Sequence, residues 1–281
     1  MNGGKVLASS APQQNVLRNF RQWLCILMRA SRASAPPPSA SAIAAVIVML
    51  IASGACMFLV DTAASAWART LPQWFEDVFE RITDLGLGGW FLFPFGFILL
   101  CLAAVTSPQL TRLTQGVLAM LTVRFGFLFL AIGVPGLFVA IVKRLIGRAR
   151  PYVGSPDDPF IYRPFVWAPE YASMPSGHAT TAASAAIAIG ALWPASRAVM
   201  WLYALVIMFS RVAVLAHHPS DVIAGAFVGA AGAFLVRRWF AARRLVFFGA
   251  DPRANPGPSL KQIKVALHQA IAGVSSMPLR P

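Results

Sequence analysis

Charge is scarce in this chain, and acidic charge most of all. Of 281 residues only 12% are charged, and 10 Asp and Glu stand against 24 Lys and Arg. A water-soluble domain carries about a quarter charged residues, so an ordinary soluble enzyme is excluded. Three cysteines in that length cannot staple a disulfide scaffold. Disorder would need low hydrophobicity, yet 57% of the residues are apolar and the mean hydropathy is +0.64. The class left standing is an integral membrane protein.

A net charge of +14 could signal nucleic acid or a membrane surface. The basic residues fall in clusters between apolar runs, which is how topology signals are distributed, so nucleic acid is set aside as a partner. The runs are six, at about residues 42–60, 90–105, 117–142, 177–193, 198–216 and 222–236. The expected fold is therefore all-α, an integral membrane protein of six transmembrane helices. The first run has no charge, is long enough for a hydrocarbon layer of about 30 Å, and starts too far into the chain for a signal peptide. Cys56, inside it, reads as a small buried hydrophobe. Gly225, Gly229 and Gly232 in the last run predict close helix packing.

Between Asp61 and Gly89 lie five acids, Asp61, Glu76, Asp77, Glu80 and Asp84, with Trp74, Phe75, Val78, Phe79 and Ile82 at helical spacing. That pattern predicts an amphipathic helix on the outer membrane surface. Residues 1–40 form a basic tail with Lys5, Arg18, Arg21, Arg29 and Arg32, in which the run from Trp23 to Met28 is too short to span and at most lies on the interface. Residues 41–236 hold the six-span domain, and residues 237–281 form a second tail with eight basic residues. Six spans put both tails on one side, and the positive-inside rule makes that side cytoplasmic. Lys143 to His178 breaks the rule: it falls outside, yet holds Lys143, Arg144, Arg148, Arg150 and Arg163. A broken local rule of this kind marks a functional site.

Three clusters there carry chemistry. Lys143, with Arg150-Pro151 beyond it, brings two cations to the end of the third span, although Lys143 and Arg144 could equally snorkel to the interface. Pro175-Ser176-Gly177-His178 suits a helix start, with Ser176 near the cap, free N–H groups for an anion and a histidine able to deliver a proton. Ser210-Arg211 is followed by His217 and Asp221, with Pro219 placed to open the last helix. Asp221 could accept a hydrogen bond from one nitrogen of His217 and leave the other free to attack. His218 is given no role. A metal site of His217, His218 and Asp221 would lack further ligands, so neither metal nor cofactor is expected. Three cations, backbone donors and two histidines suit phosphoryl transfer without a metal.

These motifs resemble the type 2 phosphatidic acid phosphatase superfamily: Lys, six residues, Arg-Pro; Pro-Ser-Gly-His; Ser-Arg, five residues, His, three residues, Asp. All eleven fixed positions are present, as Lys143, Arg150, Pro151, Pro175, Ser176, Gly177, His178, Ser210, Arg211, His217 and Asp221. The resemblance covers about residues 60–236. It implies that His217 is the nucleophile forming a phosphohistidine, Asp221 its orienting partner and His178 the general acid. Lys143, Arg150, Ser176, Gly177 and Arg211 are then the phosphate cradle. The activity so implied is hydrolysis of a lipid phosphate or diphosphate at the periplasmic face of a bacterial cell inner membrane. Undecaprenyl diphosphate, phosphatidic acid, phosphatidylglycerol phosphate and lipid A phosphates all fit. A lipid phosphotransferase, a noncatalytic transport or scaffold protein and a haloperoxidase are the alternatives; the last are soluble in this superfamily, and this chain is not. Oligomeric state and the purpose of the tails stay open, and Tyr152 to Met174 shows no assignable pattern.

Overall fold

The computed structural model describes residues 11–28, 40–154, 158–247 and 254–275, and every regular element among them is helical. In chain order these are α1 (Ala11–Met28), α2 (Ala40–Leu59), α3 (Asp61–Ala68), α4 (Gln73–Asp84), α5 (Gly89–Val105), α6 (Arg112–Ile146), α7 (Gly177–Leu192), α8 (Arg197–Ala213), α9 (Pro219–Ala242) and α10 (Leu260–Ser275). Within the basic tails, Lys5, Arg29, Arg32, Arg253 and Arg280 lie outside the described residues.

Each of the six apolar runs contains a helix, but they are not equivalent. Among the described residues four stretches are long and apolar enough to cross a membrane, Gln73–Val105, Arg112–Ile146, Pro194–Ala213 and Pro219–Ala242. A fifth counts if Ile43–Leu59 and Asp61–Ala68, bent by 56° at their junction, form one span. α7, with 16 residues, is shorter and reaches only about 24 Å at 1.5 Å per residue.

α7 is the centre of the bundle, buried along most of its length between α6, α8 and α9. Its alanine-rich sequence explains this, because small side chains let neighbouring backbones approach closely. α9 supplies the matching surface. A Cβ on Gly225 would strike the carbonyl of Ser176, one on Gly229 the carbonyl of Thr180, and one on Gly232 the ring of Pro135 in α6. The Thr180 hydroxyl donates to the Gly225 carbonyl across this contact at 3.0 Å. The glycine series thus packs as its spacing predicts, against two helices instead of one.

The segment expected as one amphipathic helix divides into α3 and α4. α4 bears out the apolar stripe: Phe75 stacks on Phe79, which meets Phe209 of α8 edge-on at 5.2 Å. Asp61 departs from the expectation altogether. It begins α3 fully buried, not on the surface.

Both tails carry docked helices. Asn19 of α1 donates to the carbonyls of Ala103 and Thr106 at 2.7 and 2.8 Å, satisfying acceptors left over at the end of α5. α10 lies against α6, where Thr114 donates to Gln269 at 2.5 Å. Thr114 lies in the first turn of α6 and Lys143 in its last, so the α10 contact and Lys143 stand about 44 Å apart along that axis at 1.5 Å per residue.

Candidate active site

α6 stops at Gly147, whose φ of +65° is left-handed and where a Cβ would collide with the Arg163 carbonyl. Only glycine meets both conditions. The turn leaves Lys143 on the last helical turn and sends Arg148 and Arg150 into the loop that leads to α7. Ser176 caps α7 by accepting from the Ala179 N–H at 3.5 Å, which places Gly177 and His178 in the first turn. Arg211 sits in the last turn of α8, and Pro219 opens α9 behind an N-cap at His218.

The sequence-predicted residues converge. His178 lies within electrostatic reach of Lys143, Arg150, Arg211 and His217, and His217 within reach of Arg150 and Arg211. Arg211 is held by Thr83 of α4, whose hydroxyl accepts from Nη1 at 2.7 Å and also meets Ser210 at 3.0 Å. The Nε groups of Arg150 and Arg211 are buried without a hydrogen-bond partner. Buried guanidinium donors left unpaired amid like charge suit an anion with several acceptor oxygens. Arg144 belongs elsewhere: it donates to the Trp167 and Ala168 carbonyls at 2.6 and 3.1 Å and stacks on Trp167.

Asp221 does not touch His217 in the way expected. Its Oδ2 lies 3.8 Å from Nδ1, too far for a hydrogen bond. Ser173 stands between them, its hydroxyl donating to Asp221 Oδ2 at 2.6 Å and lying 3.4 Å from His217 Nδ1. A hydroxyl has one proton, and this one goes to the carboxylate. Towards the ring Ser173 is therefore an acceptor, which favours Nδ1–H and leaves Nε2 as the free base. Burial lowers the pKa of His217 to about 4, against the opposing pull of Asp221, so the ring is neutral near pH 7.

Sequence reasoning missed Ser173, Thr83, Asp61 and Arg148. Arg148 is fully buried and its guanidinium is completely used: Nη1 donates to Asp221 Oδ1 at 2.5 Å and to Ser220 at 2.7 Å, Nη2 to Asp61 Oδ2 at 2.8 Å, and Nε to the Pro159 carbonyl at 3.1 Å. Its violation of the topology rule was the available signal. Among the described residues no three His, Cys, Asp or Glu side chains gather as a metal cluster.

An all-helical membrane bundle thus gathers two histidines and three cations at the ends of α6, α7, α8 and α9, an arrangement that suits an anion. The PAP2 superfamily model matches residues 124–245. A lipid A 1-phosphatase of Rhizobium johnstonii is 31% identical over 204 residues, 69% of this chain and 83% of that one. A lipid A 1-phosphatase of Rhizobium etli is 32% identical over 175 residues, 62% and 74% of the two chains. The chain belongs to the PAP2 superfamily. A PAP2 type phosphatidylglycerolphosphate phosphatase from Bacillus subtilis aligns with TM-score 0.47 and 23% identity, over 70% of this chain and 94% of that one.

Proposed function

We infer that the protein is a bacterial membrane phosphatase that hydrolyses a lipid phosphate through a phosphohistidine on His217. Family membership and the two lipid A 1-phosphatase relatives support the phosphatase class, and they make a lipid A phosphate the first substrate to test. The observation that carries the reading is the pair of unpartnered buried Nε groups on Arg150 and Arg211 beside a neutral His217.

In the proposed reaction His217 Nε2 attacks phosphorus while the bond to the lipid oxygen breaks and His178 supplies the proton that oxygen needs. Lys143, Arg150, Arg211 and the Gly177 N–H at the start of α7 hold the equatorial oxygens, where charge accumulates, while the Ser176 N–H donates to the Asp221 carbonyl at 3.0 Å and fixes that turn against α9. Water then cleaves the phosphorus–nitrogen bond, returning a proton to His178 and releasing phosphate. The proposed topology is six spans, with α7 and the bent α2–α3 pair included. Both termini are then cytoplasmic and the site periplasmic, in the inner membrane.

The test is phosphate release by the purified chain from lipid A, phosphatidylglycerol phosphate, phosphatidic acid and undecaprenyl diphosphate. Turnover of at least one that disappears in His217→Ala supports the reading. Turnover unchanged in that variant overturns the mechanism, and products carrying the phosphoryl group on a second lipid would assign a phosphotransferase.

A further inference from the structure

Asp61 and Arg148 stand outside the proposed cradle, yet they are joined by a buried polar network to Asp221. Asp61 precedes Asp221 by far more sequence than any motif spans, and it lies outside the residues matched by the family model. At the bend between α2 and α3 it is fully buried. Its Oδ2 accepts from Arg148 Nη2 at 2.8 Å and from the Ser220 hydroxyl at 2.5 Å, and its Oδ1 accepts from the Ser220 backbone N–H at 3.0 Å. Arg148 then reaches Asp221 Oδ1. The other carboxylate oxygen, Oδ2, is held by Ser173 and by the His218 backbone N–H at 2.9 Å.

A carboxylate has two degrees of freedom that matter here, its rotation and its charge. Fixing Oδ1 on a planar guanidinium sets the rotation and so aims Oδ2 at the Ser173 bridge to His217. Fixing the charge needs a cation, and among the described residues the two carboxylates at zero exposure share Arg148 as theirs. Burial works against the charged guanidinium, but Asp221 and Asp61 outweigh it and raise its pKa above the ordinary arginine value.

We propose that Asp61 and Arg148 are positioning residues for the phosphoryl transfer: Asp61 orients Arg148, and Arg148 orients Asp221 so that the Ser173 bridge holds His217 in its attacking tautomer. The proposal rests on His217 being the nucleophile. It ties the bend between α2 and α3 to the chemistry, since displacing Asp61 at the bend displaces the support of Asp221.

The experiment uses the full chain purified in detergent with Asp61→Asn, which keeps the shape and one acceptor oxygen but removes the charge, and with Arg148→Lys, which keeps the charge but not the fork. Thermal unfolding reports folding, and competitive inhibition by inorganic phosphate reports the cradle. The expected result is kcat lower by about 10- to 100-fold, as misplacement of a reacting group entails, with KM and phosphate inhibition unchanged. In an Asp221→Asn background, adding Asp61→Asn should lower kcat no further, because the support has nothing left to aim. Wild-type kcat in folded Asp61→Asn, or an additive loss in the double variant, overturns the proposal. So does failure of both variants to accumulate as folded protein, which would make the pair scaffold alone. Failure of the underlying function reading shows separately, as activity retained in His217→Ala.

Discussion

Replacing Ser173 by Ala should slow the chemical step and leave the anion site intact. Ser173 is fully buried, and its hydroxyl links Asp221 at 2.6 Å to His217 Nδ1 at 3.4 Å. Asp221 would keep Arg148 and the His218 N–H, so the substitution does not orphan a buried charge. The loss is one charge-assisted hydrogen bond and one longer contact, and a hydrogen bond to a charged group contributes about 1.5–3 kcal/mol. If that appears in the barrier, kcat falls about 10- to 150-fold. KM should hold, because Lys143, Arg150 and Arg211 are untouched. Initial rates on a lipid phosphate and an aryl phosphate, with thermal unfolding of both proteins, make the measurement. An unchanged kcat in folded Ser173→Ala would refute the bridge and imply that Asp221 closes the 3.8 Å gap to His217 by about 1 Å to bond it directly.

Other outcomes are fixed by the same geometry. With the His217 pKa lowered to about 4, the acidic limb of kcat contributed by this group should fall near pH 4, not near 6.5; a limb at 6.5 would show a solvated ring. The unfolded chain takes that proton near pH 6.5, so its contribution to stability is complete above 6.5, declines as pH falls towards 4 and is level below, as thermal unfolding across that range will read. Activity should survive chelators and be inhibited by vanadate; loss in EDTA restored by a divalent metal would refute the metal-free site. Cysteines introduced as Asp158→Cys, near the site, and Lys261→Cys, on α10, in a chain without Cys25, Cys56 and Cys101, should be labelled by an impermeant thiol reagent from the periplasm at 158 alone. The reverse pattern would place the site in the cytoplasm.

The clustering of the proposed cradle was legible because each of its parts is local. Lys143 to Arg150, Pro175 to His178 and Ser210 to Asp221 are short runs whose spacing survives folding, and the structure brings all three together. The Gly225 and Gly229 contacts were legible for the same reason, since one helix face repeats its small residues at fixed intervals. Span counting was less secure. α7 is short and almost wholly surrounded by protein, and helix packing can bury a segment that hydropathy would place in lipid. The break between α3 and α4 falls at residues 69–72, where α3 has ended at Ala68 and Pro72, in extended conformation, caps the start of α4 and its apolar stripe.

Asp61 and Ser173 were illegible because their partners are distant in sequence, and for Asp61 local composition gave the wrong cue; Arg148 showed only as a cation that breaks the topology rule. Asp61 opens an acidic, amphipathic stretch and so reads as a surface charge, yet a buried carboxylate needs only one cation supplied by the fold, and Arg148 is that cation. The consequence reaches the cradle. Among the described residues Lys143, Arg150 and Arg211 form no salt bridge, while both buried carboxylates are taken up by Arg148. An unpaired Asp61 or Asp221 facing Lys143, Arg150 and Arg211 would neutralise the cations that the proposed function assigns to phosphate. Arg148 thus takes up both buried acids, and on the proposed function an arginine outside the phosphate motif leaves the motif's own arginines to the substrate.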